Sequence, residues 1–392
     1  MRKLSRLIDY ALIKLLSLLP LKRNWIVLHS LPDFSDNAWA FYQYLIAKGY
    51  NKTHRIIWLV SQPEKYAQPE NVRFVCGDSG HVLLRRDYYL ARAKFVVHTH
   101  RTPIGRWRKN QVFINTTHSA SQLKAMGGEL KKTQWRDQPN FRLRCGEDGL
   151  RKMMKTTGMP ESHFLVIGMP RLDLLFEKKD CLSILYPGHR YARVVIVLET
   201  FRQNRAFSDS SFANTYGINI VRSEADLKAL DECLAKNDTL MIVKPHPMQD
   251  LSSIRMDSLN NIRFLSPQEL CDRDIQLYHL LGNCDALLTD YSSIYYDYLL
   301  LDLPIGFMIS DMEEYTRGFV VEDPSAEMPG PKITDIAALT RFLDGVARGE
   351  DGYSAERKAL LDKVFKYQDD NNCRRLMDFI ESYEPNSRQR EE

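Results

Sequence analysis

The 392-residue sequence has no run of about 18 uncharged apolar residues, which excludes a spanning helix of ordinary kind. Cysteine is scarce and unpatterned: there are seven, an odd number, and none lies in a CxxC pair. That excludes a disulfide scaffold and a zinc knuckle, and reads as reduced, mostly buried thiols of a cytoplasmic protein. Neither sign of charge dominates, with 54 Lys and Arg against 50 Asp and Glu and a net charge of +4, so nothing calls for nucleic acid. GxGxxG is absent, which argues against a dinucleotide dehydrogenase, and no GxxxxGK[ST] is present to suggest a P-loop ATPase. There is no internal repeat, and no low-complexity stretch beyond the charged tail, 385–392.

What is there is an ordinary globular composition, 44% hydrophobic and 27% charged, over a length that favours two domains. The first twenty residues, MRKLSRLIDYALIKLLSLLP, form a basic amphipathic helix when wound at 100° per residue. Leu4, Leu7, Ile8, Leu12, Leu15, Leu16 and Leu19 share one face, and Arg2, Lys3, Arg6, Asp9 and Lys14 the other. Such a helix lies flat on a lipid surface, its cations near anionic headgroups. A helix docked on the protein's own core is the alternative. A signal peptide fits less well, because Lys14 interrupts the apolar region and no small-residue cleavage site comes after it.

Beyond this helix, short apolar strands alternate with helical stretches, the signature of parallel sheets covered on both faces. The first series of strands is predicted at Trp25–Ser30, Arg55–Ser61, Arg73–Gly77, Lys94–His100, Val112–His118 and His163–Gly168. The second is predicted at Val194–Thr200, Thr239–His246, Ile262–Ser266, Ala286–Asp290 and Pro304–Ser310. The expected organisation is a membrane-surface helix over 1–24, an acceptor-side domain over 25–175, a donor-binding domain over 176–384 and the tail. Ligands in such folds sit beyond the carboxyl ends of the strands.

The polar clusters fall at those ends. One strand runs into His118 and another into Lys244 and His246, the latter locked between Pro245 and Pro247. Histidine titrates near neutrality, so each is a candidate general acid or base, though a lone strand-end histidine is more often structural. A third strand ends on Asp290, and Ser292-Ser293 then open a helix through Leu301. Serines there either cap the helix or hold a phosphate. Arg202, Lys244 and Arg317 supply cations suited to the same anion. Tyr291, Tyr295, Tyr296 and Tyr298 read as helix packing. His98-Thr-His100 has no third ligand at a fitting spacing, so no metal is expected.

Taken in order, these segments resemble the CDP-glycerol glycerophosphotransferase family, the teichoic-acid primases, polymerases and related capsule enzymes. Ser35-Asp-Asn37 resembles the family's early Ser-Asp-Asn loop. Thr117-His118-Ser119 with Leu123-Lys124 stands where it carries Trp-His-Gly-Thr and a Leu-Lys pair. Gly168-Met-Pro-Arg-Leu-Asp173, Thr200-Phe-Arg202, Lys244-Pro-His-Pro247, Asp290-Tyr-Ser-Ser293 with Asp297-Tyr298, Arg317-Gly-Phe319 and Pro329-Gly-Pro331 complete the set. Thr117, Ser119 and Glu199 depart from the family's Trp, Gly and Pro, which points to a different polyol or acceptor, or a weakened first-domain site.

The resemblance implies a GT-B architecture, two Rossmann-like doubly wound domains facing a cleft, in a peripheral protein on the cytoplasmic face of the membrane. It implies transfer of glycerol phosphate, or another polyol phosphate, from a CDP-polyol to a lipid-linked or polysaccharide acceptor, with release of CMP and no cofactor. On that reading His118 is the base. His246, Lys244 and Arg202 meet the departing phosphate, Ser292 and Ser293 hold phosphate oxygens, and Arg317 closes from the side. Asp290 orients either Ser292 or a ribose hydroxyl. The competing readings are a GT-B glycosyltransferase or epimerase using a nucleotide sugar, and a catalytically inert glycan-binding protein.

Overall fold

The computed structural model describes residues 8, 11–12, 14–77, 84–99, 108, 110–116, 119–124, 140–200, 203–204, 207–208, 216–245, 259–315 and 318–384. The chain forms two compact units. Met1–His118, Leu130–Leu174 and Asp369–Glu392 make the first, and Ser119–Glu129 with Leu175–Gln368 the second.

The first unit is built on seven strands: β1 (Lys22–His29), β2 (Arg55–Val60), β3 (Val72–Cys76), β4 (Ala93–His98), β5 (Val112–Asn115), β6 (Phe141–Arg144) and β7 (Phe164–Val166). They lie in the order β3-β2-β1-β4-β5-β6-β7, every neighbouring pair parallel. The strands are near-continuous apolar runs because both faces are covered. Ile26, Val27, Leu28, Ile56, Ile57, Val96 and Val97 are all fully buried. Helix Leu84–Arg92 closes one face over Trp25, Val27, Ile57 and Phe113, and Leu16 packs against the same cluster.

The second unit contains β8 (Arg193–Leu198), the two-residue hairpin strands β9 (Gln203–Asn204) and β10 (Phe207–Ser208), β11 (Thr239–Val243), β12 (Ile262–Phe264), β13 (Ala286–Thr289), β14 (Ile305–Met308) and β15 (Lys332–Ile333). Its main sheet runs β12-β11-β8-β13-β14-β15, again all parallel. In each sheet the first strand is central and the chain winds first to one side and then to the other. The fold is therefore α/β with two doubly wound parallel sheets, and in the second the strand order reverses between β8 and β13.

Three features differ from the sequence expectation. Strands β6 and β15 are absent from it. Phe141–Arg144 carries two arginines in four residues, yet Arg142 and Arg144 are 6% and 2% exposed. The described strands end earlier, at His98, Asn115, Val243 and Thr289, so Thr116, Lys244 and Asp290 come after the strands rather than in them. The units also exchange two segments relative to the expected 25–175 and 176–384. Residues 119–129 belong to the second unit and 369–384 to the first.

Candidate active site

The reversal point of the second sheet brings together segments far apart in sequence. Asp290 comes directly after β13 and is fully buried. Its two carboxylate oxygens accept the Thr200 backbone N–H at 3.0 and 2.9 Å, and Oδ1 also accepts the Thr200 hydroxyl at 3.0 Å. The Ser292 N–H reaches the same oxygen at 2.9 Å. The Thr200 hydroxyl in turn accepts from the Lys124 ammonium at 2.8 Å. The carboxylate thus fixes the exits of β8 and β13 side by side. Of the two roles open to Asp290, the hydrogen bonds are those of an organiser of Ser292 and Thr200.

Ser292 and Ser293 are half-buried, and helix Ile294–Tyr298 starts directly after them. Ser293 occupies the cap position with helical backbone angles and makes no side-chain cap hydrogen bond. Among the described residues neither hydroxyl has a partner, so capping does not account for the pair. The tyrosines behind them are core: Tyr291, Tyr295, Tyr296 and Tyr298 are fully buried. Burial raises the phenol pKa of Tyr296 and Tyr298 well above the ordinary value.

On the other side of β8, Lys244 stands directly after β11 with its backbone N–H on Val197 O at 3.2 Å. Its side chain is half-buried and has no ion-pair partner among the described residues. Burial lowers its ammonium pKa. Strands β11 and β13 flank β8, so Lys244 and Ser292 stand about two strand spacings apart, roughly 10 Å. A charged group taken from water without a counter-charge is an anion site in waiting.

The segment Ser119–Lys124 is seated in this unit too. Ala120 N–H donates to Asp297 Oδ1 at 2.9 Å, and Val320 N–H donates to Leu123 O at 2.9 Å. Lys124 and Phe319 form an antiparallel bridge. Phe319 stacks on Tyr315 at 5.4 Å and meets Tyr291 edge-on at 5.4 Å. Gly318, at φ +74°, supplies the left-handed turn between them. Four of the expected site residues, His118, Arg202, His246 and Arg317, lie outside the described residues. Asp290, Ser292, Ser293 and Lys244 are brought to one edge of one sheet.

In the first unit the early loop and the Gly-x-Pro-Arg-x-Asp segment explain each other. Asn37 is fully buried. It donates from Nδ2 to Thr116 O at 2.6 Å and accepts the Arg171 N–H at 3.1 Å. Arg171 also pairs with both oxygens of Asp36, at 2.9 and 3.1 Å. Asp173 accepts the N–H groups of Asn372 and Cys373 at 2.9 and 2.8 Å, which ties helix Asn372–Ser382 to this unit. These motifs therefore hold the exit of β5, two residues before His118. In the second unit Lys124, Thr200 and Asp297 support this edge without standing out in the sequence as site residues, and in the first unit Asn37 supports the exit of β5 in the same way. Their signal lies in the order of motifs, since each stands in one of the quoted segments.

Comparison with known proteins gives the same architecture and a family. A teichoic acid glycerol-phosphate transferase of Staphylococcus aureus is 25% identical over 408 residues, covering 95% of this chain and 96% of that protein. A teichoic acid ribitol-phosphate primase of Bacillus spizizenii is 25% identical over 236 residues, 57% of this chain and 54% of its own length. The chain thus spans nearly the whole of one curated relative and about half of the other. The solved structure of the wall teichoic acid polymerase TagF, of GT-B-like fold, superposes with a TM-score of 0.74 at 20% identity, covering 97% of this chain and 96% of that chain. The sequence profile of CDP-glycerol:poly(glycerophosphate) glycerophosphotransferases matches residues 11–382, and the chain belongs to that enzyme family.

Proposed function

We propose that this enzyme transfers a polyol phosphate, glycerol phosphate foremost, from a CDP-activated donor to a hydroxyl of a lipid-linked or polysaccharide acceptor, in synthesis of a teichoic-acid-like or capsule polymer. The acceptor oxygen bonds to the β-phosphorus as the bond from that phosphorus to the bridging oxygen breaks. The electron pair leaves with CMP, and the hydroxyl proton passes to a base. We assign that base to His118. His246, Lys244 and Arg202 face the departing phosphate, Ser292 and Ser293 hold its oxygens, and Arg317 closes the site. Charge already placed where charge develops is worth more than charge recruited during the reaction.

The observation that carries this reading is the Asp290 hub. Its carboxylate is spent on Thr200 and Ser292, while two serine hydroxyls and a half-buried ammonium at the same edge are left for an anion. A TagF variant has been solved after soaking with CDPG, which is consistent with a CDP-glycerol donor here. The test is nucleotide release from a panel of CDP-glycerol, CDP-ribitol and UDP-sugars. CMP formed with a phosphodiester product supports the proposal, and UDP formation overturns it. His118→Ala is expected to lower turnover about 10²–10⁴-fold in a folded protein.

The amino-terminal segment is read as a peripheral anchor on the inner membrane surface. Residues 8, 11–12 and 14–16 are helical, and Leu15 and Leu18 are 65% and 81% exposed while Leu16 packs inward. The described helices include none long and apolar enough to cross a membrane. Leu15→Glu with Leu18→Glu is expected to abolish cosedimentation with vesicles of anionic phospholipid while leaving nucleotide release from soluble substrates intact. Unchanged cosedimentation would leave only the docked helix.

A further inference from the structure

Arg142 and Arg144 stand two residues apart on β6, so their side chains share one face of the first unit's sheet, and both are buried. Arg144 donates from Nη1 to Leu143 O at 2.7 Å, and its guanidinium lies 5.7 Å from the Phe164 ring centroid. Its Nε and Nη2 are buried and make no hydrogen bond. Among the described residues no carboxylate pairs with it. Burial, and then the charge of Arg142, lower its pKa to about 9, so it is still a cation at neutral pH. The positions aligned with Arg142 on the neighbouring strands continue a polar row. His29 is in register with His98, His98 with Asn115, and Asn115 with Arg142. His29, His98, Asn115 and Arg144 are the last residues of β1, β4, β5 and β6, and the strand order of this sheet reverses between β1 and β4. Ligands of doubly wound sheets bind along that edge.

We propose that Arg144, with Arg142 beside it, forms a phosphate site of the first unit, for the phosphodiester of an acceptor that already carries a polyol phosphate. A buried cation without a counter-charge is among the most destabilising groups a fold can hold, and an anion supplies the missing partner. The guanidinium fork matches the oxygens of a phosphate, which accept two parallel N–H bonds. Nε and Nη2 are the two nitrogens that such a pair of bonds would use. The acceptor part of the inference rests on the expected role of the first domain as the acceptor side. In a polymer of polyol phosphates each product is the next acceptor, so the acceptor presents a phosphodiester one unit from its reactive hydroxyl.

The test is hydrogen exchange of the full-length protein with added phosphate, against chloride at equal ionic strength. At about 10 mM inorganic phosphate, exchange over residues 141–166, from β6 to β7, is expected to slow about 10-fold, as for a Kd of about 1 mM. Glycerophosphoglycerol, a phosphodiester, should give the same protection at a lower concentration, and glycerol none. Arg144→Met should remove the response, while Lys244→Met in the second unit keeps it. If Arg144→Met fails to fold, Arg144→Lys carries the test. It keeps the charge, loses the fork and is expected to weaken binding about 10-fold. No slowing over residues 141–166 with either phosphate compound, or a response undiminished in the Arg144 variants, overturns the site. Slowing by inorganic phosphate alone overturns its assignment to the acceptor. UDP formation in the nucleotide panel overturns the proposed function instead, since the phosphate response involves no donor.

Discussion

The partial burial of Lys244 costs stability, and the proposed grip on the donor phosphate gives that cost a use. Its ammonium pKa in the folded chain lies below the ordinary value because burial penalises the charged form. Between the folded and unfolded pKa the unfolded chain binds more protons, so stability rises with pH through that window, up to about pH 10.5. Below the folded pKa the whole cost is present. Lys244→Met is therefore expected to raise the melting temperature at pH 7 by about 2–4 °C, as for a gain of about 1 kcal/mol in a unit of this size, while abolishing use of the CDP donor. The variant should also lose the stability that the parent gains as pH rises from 7 toward about 10.5 through that window. Melting curves at the two pH values check both; a destabilised variant would mean that the ammonium is already paired. Ser292→Ala and Ser293→Ala make the complementary case. A capping serine removed costs about 0.5–2 kcal/mol of stability, but neither hydroxyl caps here. The expected outcome is unchanged urea unfolding with KM for the donor raised about 10-fold or more, the worth of a hydrogen bond to a charged group.

At the scale of the element, the apolar strands were legible because an all-parallel sheet covered on both faces demands near-continuous Val, Ile and Leu. Val194–Leu198 and Ile26–Leu28 leave little choice. Strand β6 was illegible for the same reason: two arginines in four residues contradict the pattern. The Arg144 guanidinium is accommodated by donating to Leu143 O at 2.7 Å and lying 5.7 Å from the Phe164 ring centroid, neither of which sequence spacing reveals. The Asp290 and Ser292 edge was readable as a strand end meeting a helix start. Its partner Thr200 lies 90 residues from Asp290, and Lys124 further still, beyond any local pattern. The Gly-x-Pro-Arg-x-Asp turn shows what such an element does. Gly168 sits at φ +87°, and a Cβ there would lie 1.6 Å from Asn372 Oδ1. Gly168→Ala should thus combine left-handed strain of about 1–2 kcal/mol with displacement of the Asn372 side chain. The expected loss is about 2 kcal/mol or more in urea unfolding, with the largest gain in hydrogen exchange at residues 372–382; uniform exchange would refute the local account.

For the whole molecule, the order of the chain is a poor guide to which residues fold together. Helix Asn372–Ser382 comes last, yet it belongs to the unit that begins with β1. Leu376 and Met377 are fully buried and Ile380 is 3% exposed. Phe379 meets Phe141 with ring centroids at 5.2 Å, Tyr383 meets Phe95 at 6.2 Å, and the Lys94 ammonium stands 4.9 Å from the Tyr383 ring. Burying a large aliphatic side chain is worth about 1.5–3 kcal/mol. Three of them supply roughly 5–9 kcal/mol, comparable with the entire stability of a typical domain. The residues of the second unit end at Gln368, so the truncation removes none of them. A chain stopped after Gln368 is therefore expected to lose the first unit as a folded body and keep the second. Limited proteolysis or hydrogen exchange should show residues 22–174 unprotected, apart from the 119–129 segment, and residues 193–348 protected as in the full chain. Equal protection of both units would mean that the carboxyl-terminal helix is an accessory rather than a part of the first core.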